Sequence, residues 1–407
     1  MTGRTGGWLV LAVALGTAGL TGERLWSYPQ EKQAPKTAPV AQDQSTKPEM
    51  NVYLIGDAGA PAVKDEPVLQ ALEKMLDEDP SHSVAVFMGD NIYPDGMPDS
   101  VSVGRKEAER RLQAQLEAVK NSKSRGIFIA GNHDWGGISG RNGFFAIRRQ
   151  GAYIAAKGAG SSMMPEAGCP GPAVQDVGTR LRLVMLDTQW WLARSRPPNG
   201  QKDLVPCAFV SQKSVLDSLK KVLRDTGGRR VLVMSHHPLA SQGTHGGYFS
   251  GKSQIFPLTS LKNWLRVPLP MVGSVYVAAR RMGLSEQDLT APQYIRLVQS
   301  LMGTFTKDEP LVYAAGHEHS MQVMSFQEAP RFLLVSGTGI YGHVSAVGRA
   351  RPTRYAAAES GFMRVRAWAD GRIRLTVFTI DNTGKSTEAF DQWLVEQPVK
   401  LDVKIAD

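Results

Sequence analysis

From Met50 onward, short apolar runs alternate with longer segments in which apolar residues recur every three or four positions. The short runs are Asn51–Ile55 (NVYLI), Ser83–Met88 (SVAVFM), Ile127–Ala130, Leu181–Leu186 (LRLVML), Val231–Met234, Leu311–Ala315 and Phe332–Val335. Each has the length and texture of a buried strand. Between the first two, Val68, Leu69, Leu72, Met75 and Leu76 form one stripe of a helix opened by Pro67. Proline suits that first turn, where its missing N–H costs nothing. Lys106–Lys120 (Leu112, Leu116, Val119) and Phe209–Arg224 (Leu216, Leu219, Leu223) predict two more amphipathic helices. Strands alternating with helices imply an α/β fold, a layered sandwich of β-sheets flanked by helices. Strands that are apolar throughout imply sheets covered on both faces. After Gly361 the texture changes. Phe362–Trp368 and Arg372–Ile380 alternate around Asp370-Gly371 and predict a β-hairpin, expected at an edge of the same domain. No internal repeat is visible.

Polar residues recur at one place, just after the C-terminal end of a strand, which is where open α/β sheets bind ligands. The first run ends in GDAG, the second in GDNIYPDG, the third in GNHDW. Val231–Met234 ends in SHHP, Leu311–Ala315 in GHEHS and Phe332–Val335 in SGTGIYGH. Seven of the eight histidines, from His133 onward, lie in or near these loops. A lone histidine is usually structural. A set of them beside two aspartates and an asparagine at equivalent positions points to a metal site. Two ions bridged by a carboxylate polarise a phosphoryl group, lower the pKa of a coordinated water and stabilise charge during in-line displacement. A nearby histidine can then protonate the leaving oxygen.

The ordered motifs GDAG, GDN, GNHD, SHHP and GHEH resemble the calcineurin-like metallophosphoesterase superfamily. Within it the resemblance is greatest to the purple acid phosphatases of the tartrate-resistant type. Tyr93 in GDNIY, Leu186-Asp187-Thr188 after the fourth strand, and His245-Gly246 downstream of His236 carry that finer likeness. The resemblance covers roughly residues 50–345. It implies that Asp90 bridges two metal ions. Asp57, Tyr93 and His319 would complete a first site holding Fe(III), and Asn132, His236 and His317 a second holding Fe(II), Zn or Mn. His133 and His245 would be catalytic, orienting phosphate and protonating the leaving group. A tyrosine ligand suits a strong Lewis acid such as Fe(III). Asn91, His237 and His343 are candidates for facing the substrate, a small phosphorylated molecule. His82 reads as surface. The sequence departs from the tartrate-resistant type at Ala58, where that type has an aromatic residue, and at His237, where it has tyrosine.

The implied activity is hydrolysis of phosphate monoesters by a metal-activated hydroxide with a histidine acid. A phosphodiesterase or nucleotide hydrolase on the same scaffold is the alternative, and a non-catalytic metal-binding adaptor a remoter one. The chain carries a net charge of +9, with 42% hydrophobic and 21% charged residues, an ordinary globular balance. Its Lys and Arg are dispersed, with no arm fitted to nucleic acid. The positive field either attracts anionic substrates or is a plain solvated surface.

The sequence divides into four parts. Residues 1–27 hold Arg4 and the apolar stretch Trp8–Leu20, shorter than the about 20 residues that span a membrane. They read as a signal peptide or short signal anchor, hence an exported protein with a tether to the membrane if uncleaved. Residues 28–49 are a linker rich in Pro, Gln and Lys. Residues 50–395 are the metallophosphoesterase domain, with an inserted segment at 250–305, and 396–407 are a tail. In an oxidising compartment Cys169 and Cys207 either pair or remain free thiols, which their spacing does not settle. The insert is apolar from Leu261 to Ala279, interrupted by Pro268 and Pro270. It then predicts a helix from about Pro292 to Met302. A lid, a membrane-contacting patch and additional core are all compatible with that pattern.

Overall fold

A computed structural model describes residues 47–137, 143–193, 207–208, 211–249, 255–256 and 267–397. The export segment Arg4–Leu20, nearly all of the linker and the tail, and the first part of the insert (Leu261 onward) lie largely outside these residues. All described residues belong to one compact unit.

Fourteen strands, counted among the described residues, form two seven-stranded sheets. The first sheet contains β1 (Met50–Ile55), β2 (Ser83–Met88), β3 (Arg125–Ile129) and β4 (Ser161–Met163), all parallel. Beyond β1 it continues antiparallel through β12 (Gly361–Ala367), β13 (Ile373–Ile380) and β14 (Ser386–Val395). The second sheet runs β11 (Thr353–Ala357), β9 (Met321–Ser325), β10 (Phe332–Ser336), β8 (Val312–Ala315), β7 (Arg230–Met234), β6 (Leu181–Met185) and β5 (Ala173–Val177). Its parallel centre is β6, β7, β8 and β10. Antiparallel β5, β9 and β11 close its flanks.

The period-two geometry of a strand sorts each apolar run into two cores. Val52, Leu54, Val84, Val86 and Met88 point between the sheets, where they meet Leu183, Met185, Leu232, Met234 and Val312. Tyr53, Ile55, Ala85 and Phe87 point outward under the helices. Those helices include α1 (Pro67–Asp77), α2 (Arg105–Asn121), α3 (Gly143–Lys157), α4 (Gln189–Leu192) and α5 (Gln212–Arg224). The expected stripe of α1 is buried as read, at Val68, Leu69, Leu72, Met75 and Leu76. In α5 the buried set is Val215, Leu219 and Leu223, with Leu216 only packed against the core.

The C-terminal hairpin forms, but not at the edge. β12 pairs with β1 on one side and β13 on the other, so β14 is the edge strand. Cys169 and Cys207 form a disulfide, with Cα atoms 5.5 Å apart. In the insert, α6 (Pro270–Arg281) and α7 (Pro292–Met302) differ in burial. α7 buries Tyr294, Leu297 and Leu301 in the outer core, and the Tyr294 hydroxyl donates to the Pro238 carbonyl. α6 leaves Val272 and Val275 exposed. The insert is therefore additional core at its second helix. No described helix is long and apolar enough to cross a membrane.

Candidate metal centre

The loops that leave β1, β2, β3, β7 and β8 at their C-terminal ends meet across the gap between the two sheets. Tight approach is built into the glycines. A Cβ on Gly131 would lie 2.2 Å from the Asp90 carboxylate, and one on Gly89, which has φ of +89°, would lie 2.5 Å from the His236 ring. Asp57, Asp90 and His317 also adopt positive φ, at 60°, 53° and 68°. Such backbone is costly for a residue with a Cβ and persists where surrounding structure over-determines it. Three expected ligands therefore sit on strained turns.

The second expected donor set is built around Asn132, His236 and His317. His236 Nε2 and His317 Nδ1 are 3.2 Å apart, and the Asn132 carbonyl oxygen lies 2.9 Å and 3.1 Å from them. The outer nitrogens decide what these inner atoms are. His236 Nδ1 donates to the Met88 carbonyl at 2.9 Å, and His317 Nε2 donates to the Gln287 carbonyl at 2.9 Å. A carbonyl only accepts, so the outer nitrogens carry the protons. In the neutral tautomers both inner nitrogens are then bare lone pairs facing an oxygen and each other. Asp90 Oδ1 adds a fourth acceptor, 3.4 Å from His236 Nε2. Converging lone pairs repel unless a cation sits among them. Against the cost of burial, the Asp90 carboxylate raises the His236 imidazole to about 9, so a proton on Nε2 takes the place an ion would otherwise occupy. The donor chemistry fits a metal ion.

The first expected set lies beside it. The Tyr93 hydroxyl donates to Asp57 Oδ1 at 3.0 Å and lies 3.2 Å from His319 Nε2, which is 3.4 Å from the same carboxylate oxygen. The remaining Asp57 oxygen accepts the His317 backbone N–H at 2.8 Å. Ligand atoms of Asp57, Asp90 and His236 all lie within 4.8 Å of one another, so Asp90 is within reach of both sets.

The two expected catalytic histidines flank this cluster. His133 Nδ1 donates to the Pro94 carbonyl at 2.6 Å, leaving Nε2 3.9 Å from Asp90. His245 stacks on His317 with ring centroids 4.1 Å apart. Side chains of His133, His245 and His319 retain 26, 23 and 25% exposure, whereas His236 is fully buried. The mouth of the site is on their side.

The three candidates for facing the substrate separate. Asn91 is buried, and its side-chain amide donates to the Ile129 carbonyl and the Asp134 carboxylate. That ties two site loops together and turns the amide nitrogen away from any substrate. His237 is also buried, with Nδ1 on the Thr188 hydroxyl and Nε2 on the Gln287 side chain. Burial and the adjacent His236 push it down to about 3, so it is neutral, and it packs with both nitrogens occupied. His343 lies 3.9 Å from the His319 ring and 5.3 Å from Tyr93, centroid to centroid, at the rim of the first set. Unlike Asn91 and His237, it is not buried. His82 is a surface residue paired with Asp79.

Several positioning residues escaped the sequence reading. Asp134 accepts backbone N–H groups of Asn91, Ile92 and Gly131, fixing the β2 and β3 loops. Glu318 accepts from Ser241, Thr244 and the His245 backbone. Both stand inside quoted motifs, where a buried acid between ligands is the available signal. Gln287 and Asp288, from the insert, have no motif at all.

The backbone is similar to that of GAP50, described as the anchor in the inner membrane complex of Plasmodium. The TM-score is 0.53 and sequence identity 14%, over 87% of this chain and 91% of that one. It is also similar to purple acid phosphatase PPD1 from yellow lupin (Lupinus luteus) seeds, with TM-score 0.47 and 12% identity, over 83% of this chain and 52% of that one. No curated protein matches the sequence significantly. Residues 50–269, more than half of the chain, match the calcineurin-like phosphoesterase family. That span contains the turns that present Asp57, Asp90, Asn132 and His236, and the chain belongs to the calcineurin-like phosphoesterases.

Proposed function

We propose that this protein is a binuclear metal-dependent phosphatase that hydrolyses phosphate monoesters, and that it works outside the cytoplasm. The observation that supports the reading is the pair of adjacent donor sets with Asp90 within reach of both. Asp57, Tyr93 and His319 would hold one ion, ferric iron, and Asn132, His236 and His317 the other, Fe(II), Zn or Mn. The ions would supply Lewis acidity, activating the attacking water and neutralising phosphoryl charge. The chain supplies the rest. Its carbonyls fix the tautomers of His236, His317 and His133, so every inner nitrogen faces the site ready to accept. His133, anchored on Pro94, is placed to orient the phosphoryl group. His245, on the opposite wall, is placed to protonate the leaving oxygen as the ester bond breaks. Compensation of several carboxylates by metal and of metal charge by phosphate suits a dianionic monoester better than a monoanionic diester.

Metal analysis of the purified protein, a visible spectrum, and a phosphate-release panel of monoesters, diesters and nucleotides test the proposal together. Two metals per chain, a charge-transfer band and preference for monoesters are expected. Protein carrying two metals that releases no phosphate from any monoester would overturn it, and would favour the adaptor alternative. A preference for diesters would keep the centre and change the substrate.

A further inference from the structure

The inserted segment reaches the site through one short stretch between its helices. Gln287 offers its backbone carbonyl to His317 Nε2 and its side-chain oxygen to His237 Nε2, both at 2.9 Å. The next residue, Asp288, is 2% exposed, and its Oδ1 lies 2.9 Å from His245 Nδ1. The Leu289 N–H donates to the His245 carbonyl at 3.0 Å, so the same stretch grips the histidine's backbone as well as its ring. Behind Asp288 stands Arg280, at the end of α6. Its Nε donates to Asp288 Oδ2 and its Nη2 to Oδ1, a two-pronged fork. Arg280 is itself steadied by donation from Nη1 to the Tyr276 hydroxyl at 2.8 Å, and by the ring of Phe249, 5.7 Å from the guanidinium carbon. Arg280 Nη2 also comes within 3.2 Å of His245 Nδ1.

We infer that Asp288, backed by Arg280, is a positioning residue for catalysis, holding His245 as the Nδ1–H tautomer so that Nε2 is the nitrogen that delivers a proton. The argument is one of donors and acceptors. An ionised carboxylate only accepts, so a bare Nδ1 at 2.9 Å would place two lone pairs against each other. The guanidinium would favour the opposite tautomer if it donated to Nδ1. However, the second Nη2 N–H reaches Nδ1 only at 3.2 Å, whereas the carboxylate oxygen lies closer, at 2.9 Å, and is the stronger, charged partner. The proton therefore belongs on Nδ1. Buried acids that hold the outer nitrogen of a functional imidazole fix its tautomer and ring orientation. His236, His317 and His133 use backbone carbonyls for this purpose. His245 differs from these three in holding its Nδ1 against a carboxylate, and it is the one expected to carry charge during turnover. In the proton-transfer step, the Nε2 proton passes to the leaving oxygen as its bond to phosphorus breaks. The ring is left neutral with Nδ1–H still on Asp288, and the attacking water has formed the new P–O bond. The inserted helices thus brace the acid of the reaction.

This inference rests on the assignment of His245 as the acid, so its test has two separable arms. The first reads the ring without turnover, by 15N NMR of histidine-labelled, zinc-loaded protein, with His245→Gln assigning the signal. Nδ1 should be protonated in the wild type, and that state should be lost or mixed in Asp288→Asn. The second arm compares kcat for an alkyl phosphate and for 4-nitrophenyl phosphate, whose leaving group departs with little help. Asp288→Asn should lower kcat on the alkyl ester about 10- to 100-fold, the range of outer-shell losses. It should lower kcat on the nitrophenyl ester less than about threefold, with KM and metal content little changed, because general acid catalysis matters only where a proton is needed. Arg280→Lys, which keeps the charge but not the fork, should shift both measurements in the same direction by less, and serves if the Asn variant does not fold. A bare Nδ1 in the wild type, a ring state unchanged in the variants, or equal losses on both esters would overturn the inference. If the wild type cleaves neither ester, the phosphatase reading fails and the ring spectrum alone decides the role of Asp288.

Discussion

Asp90 accepts the His133 backbone N–H at 2.8 Å and lies beside His236, and its ligand atom is within 4.8 Å of those of both Asp57 and His236, so one carboxylate is within reach of both donor sets. Asp90→Asn keeps the shape and removes the charge that would join two ions. Because loss of outer-shell partners alone costs 10- to 100-fold in metal affinity or activity, this variant should lose at least about 100-fold in activity together with metal occupancy. Near-normal turnover with two metals retained would refute the bridging role. Tyr93 makes a finer test. Burial and the Asp57 carboxylate raise its phenol well above the ordinary value of 10, so its hydroxyl keeps the proton unless a highly charged ion replaces it. Ferric iron would do so and would colour the protein through phenolate-to-metal charge transfer. Tyr93→Phe should abolish the colour and cost less activity than Asp90→Asn, since the phenolate tunes the ion without bridging. A wild type with fully occupied ferric iron and no colour would reject the tyrosine ligand.

At the scale of elements, α7 decides what the insert is for. Leu301 is fully buried in the outer core, three residues before the buried Thr304 that caps the helix end by donating to its carbonyl. Leu301→Ala should cost about 2–5 kcal/mol of unfolding free energy, the usual range for a buried leucine, measured by denaturant titration. Deleting the whole insert should prevent folding, whereas a loosely attached lid would come away with the metal centre intact. The strands that carry the site are legible because each is apolar at a single period and is followed within two or three residues by Asp, Asn or His. β7 and β8 are examples, each with a ligand two residues past its last strand residue. β14 was not legible: STEAFDQWLV is exposed or half-buried at nearly every position, as an edge strand is, so no apolar run marks it. β5 (AVQDV) failed for the same reason. Asp288 was invisible for a different one. It lies 43 residues from His245 with ordinary neighbours, and only the path of the chain through α6 brings the two together. His237 and Asn91 stand next to expected ligands, and each also braces a loop through a buried hydrogen bond, to Thr188 and to Asp134, which no pattern in the sequence announces.

For the whole molecule, the disulfide links chemistry to compartment. Cys169 and Cys207, separated by 38 positions, are bonded in the fold, and among the described residues there is no free cysteine. Bridges of this kind persist in oxidising surroundings and are rare in a reducing cytosol. That supports the proposal that the Arg4–Leu20 segment directs export. The bridge closes a loop whose ends flank β5, β6 and the buried tryptophans Trp190 and Trp191. Asp187 sits within that loop, accepting from the Trp135 ring N–H at 2.8 Å and the Trp190 backbone N–H at 3.0 Å, so the loop is tied to the helix-covered side of the first sheet near the site. On the chain-entropy account, a crosslink across a loop of this size stabilises the fold by about 4 kcal/mol, by restricting the unfolded chain. Reduction should therefore lower the unfolding free energy by about that amount, and the denaturant midpoint with it, without moving the donor atoms, because no cysteine touches the metal ligands. Reduced protein below its shifted transition should retain its metals and its turnover. The Cys169→Ala, Cys207→Ala double variant should behave like the reduced form and accumulate poorly when exported. The measurement is paired: unfolding curves with and without reductant, and metal content at a denaturant concentration where both forms remain folded. Loss of metal at that concentration would mean that the bridge shapes the centre directly. An unchanged midpoint would mean that the loop is held by Trp135 and its neighbours alone, and would remove the disulfide as support for export.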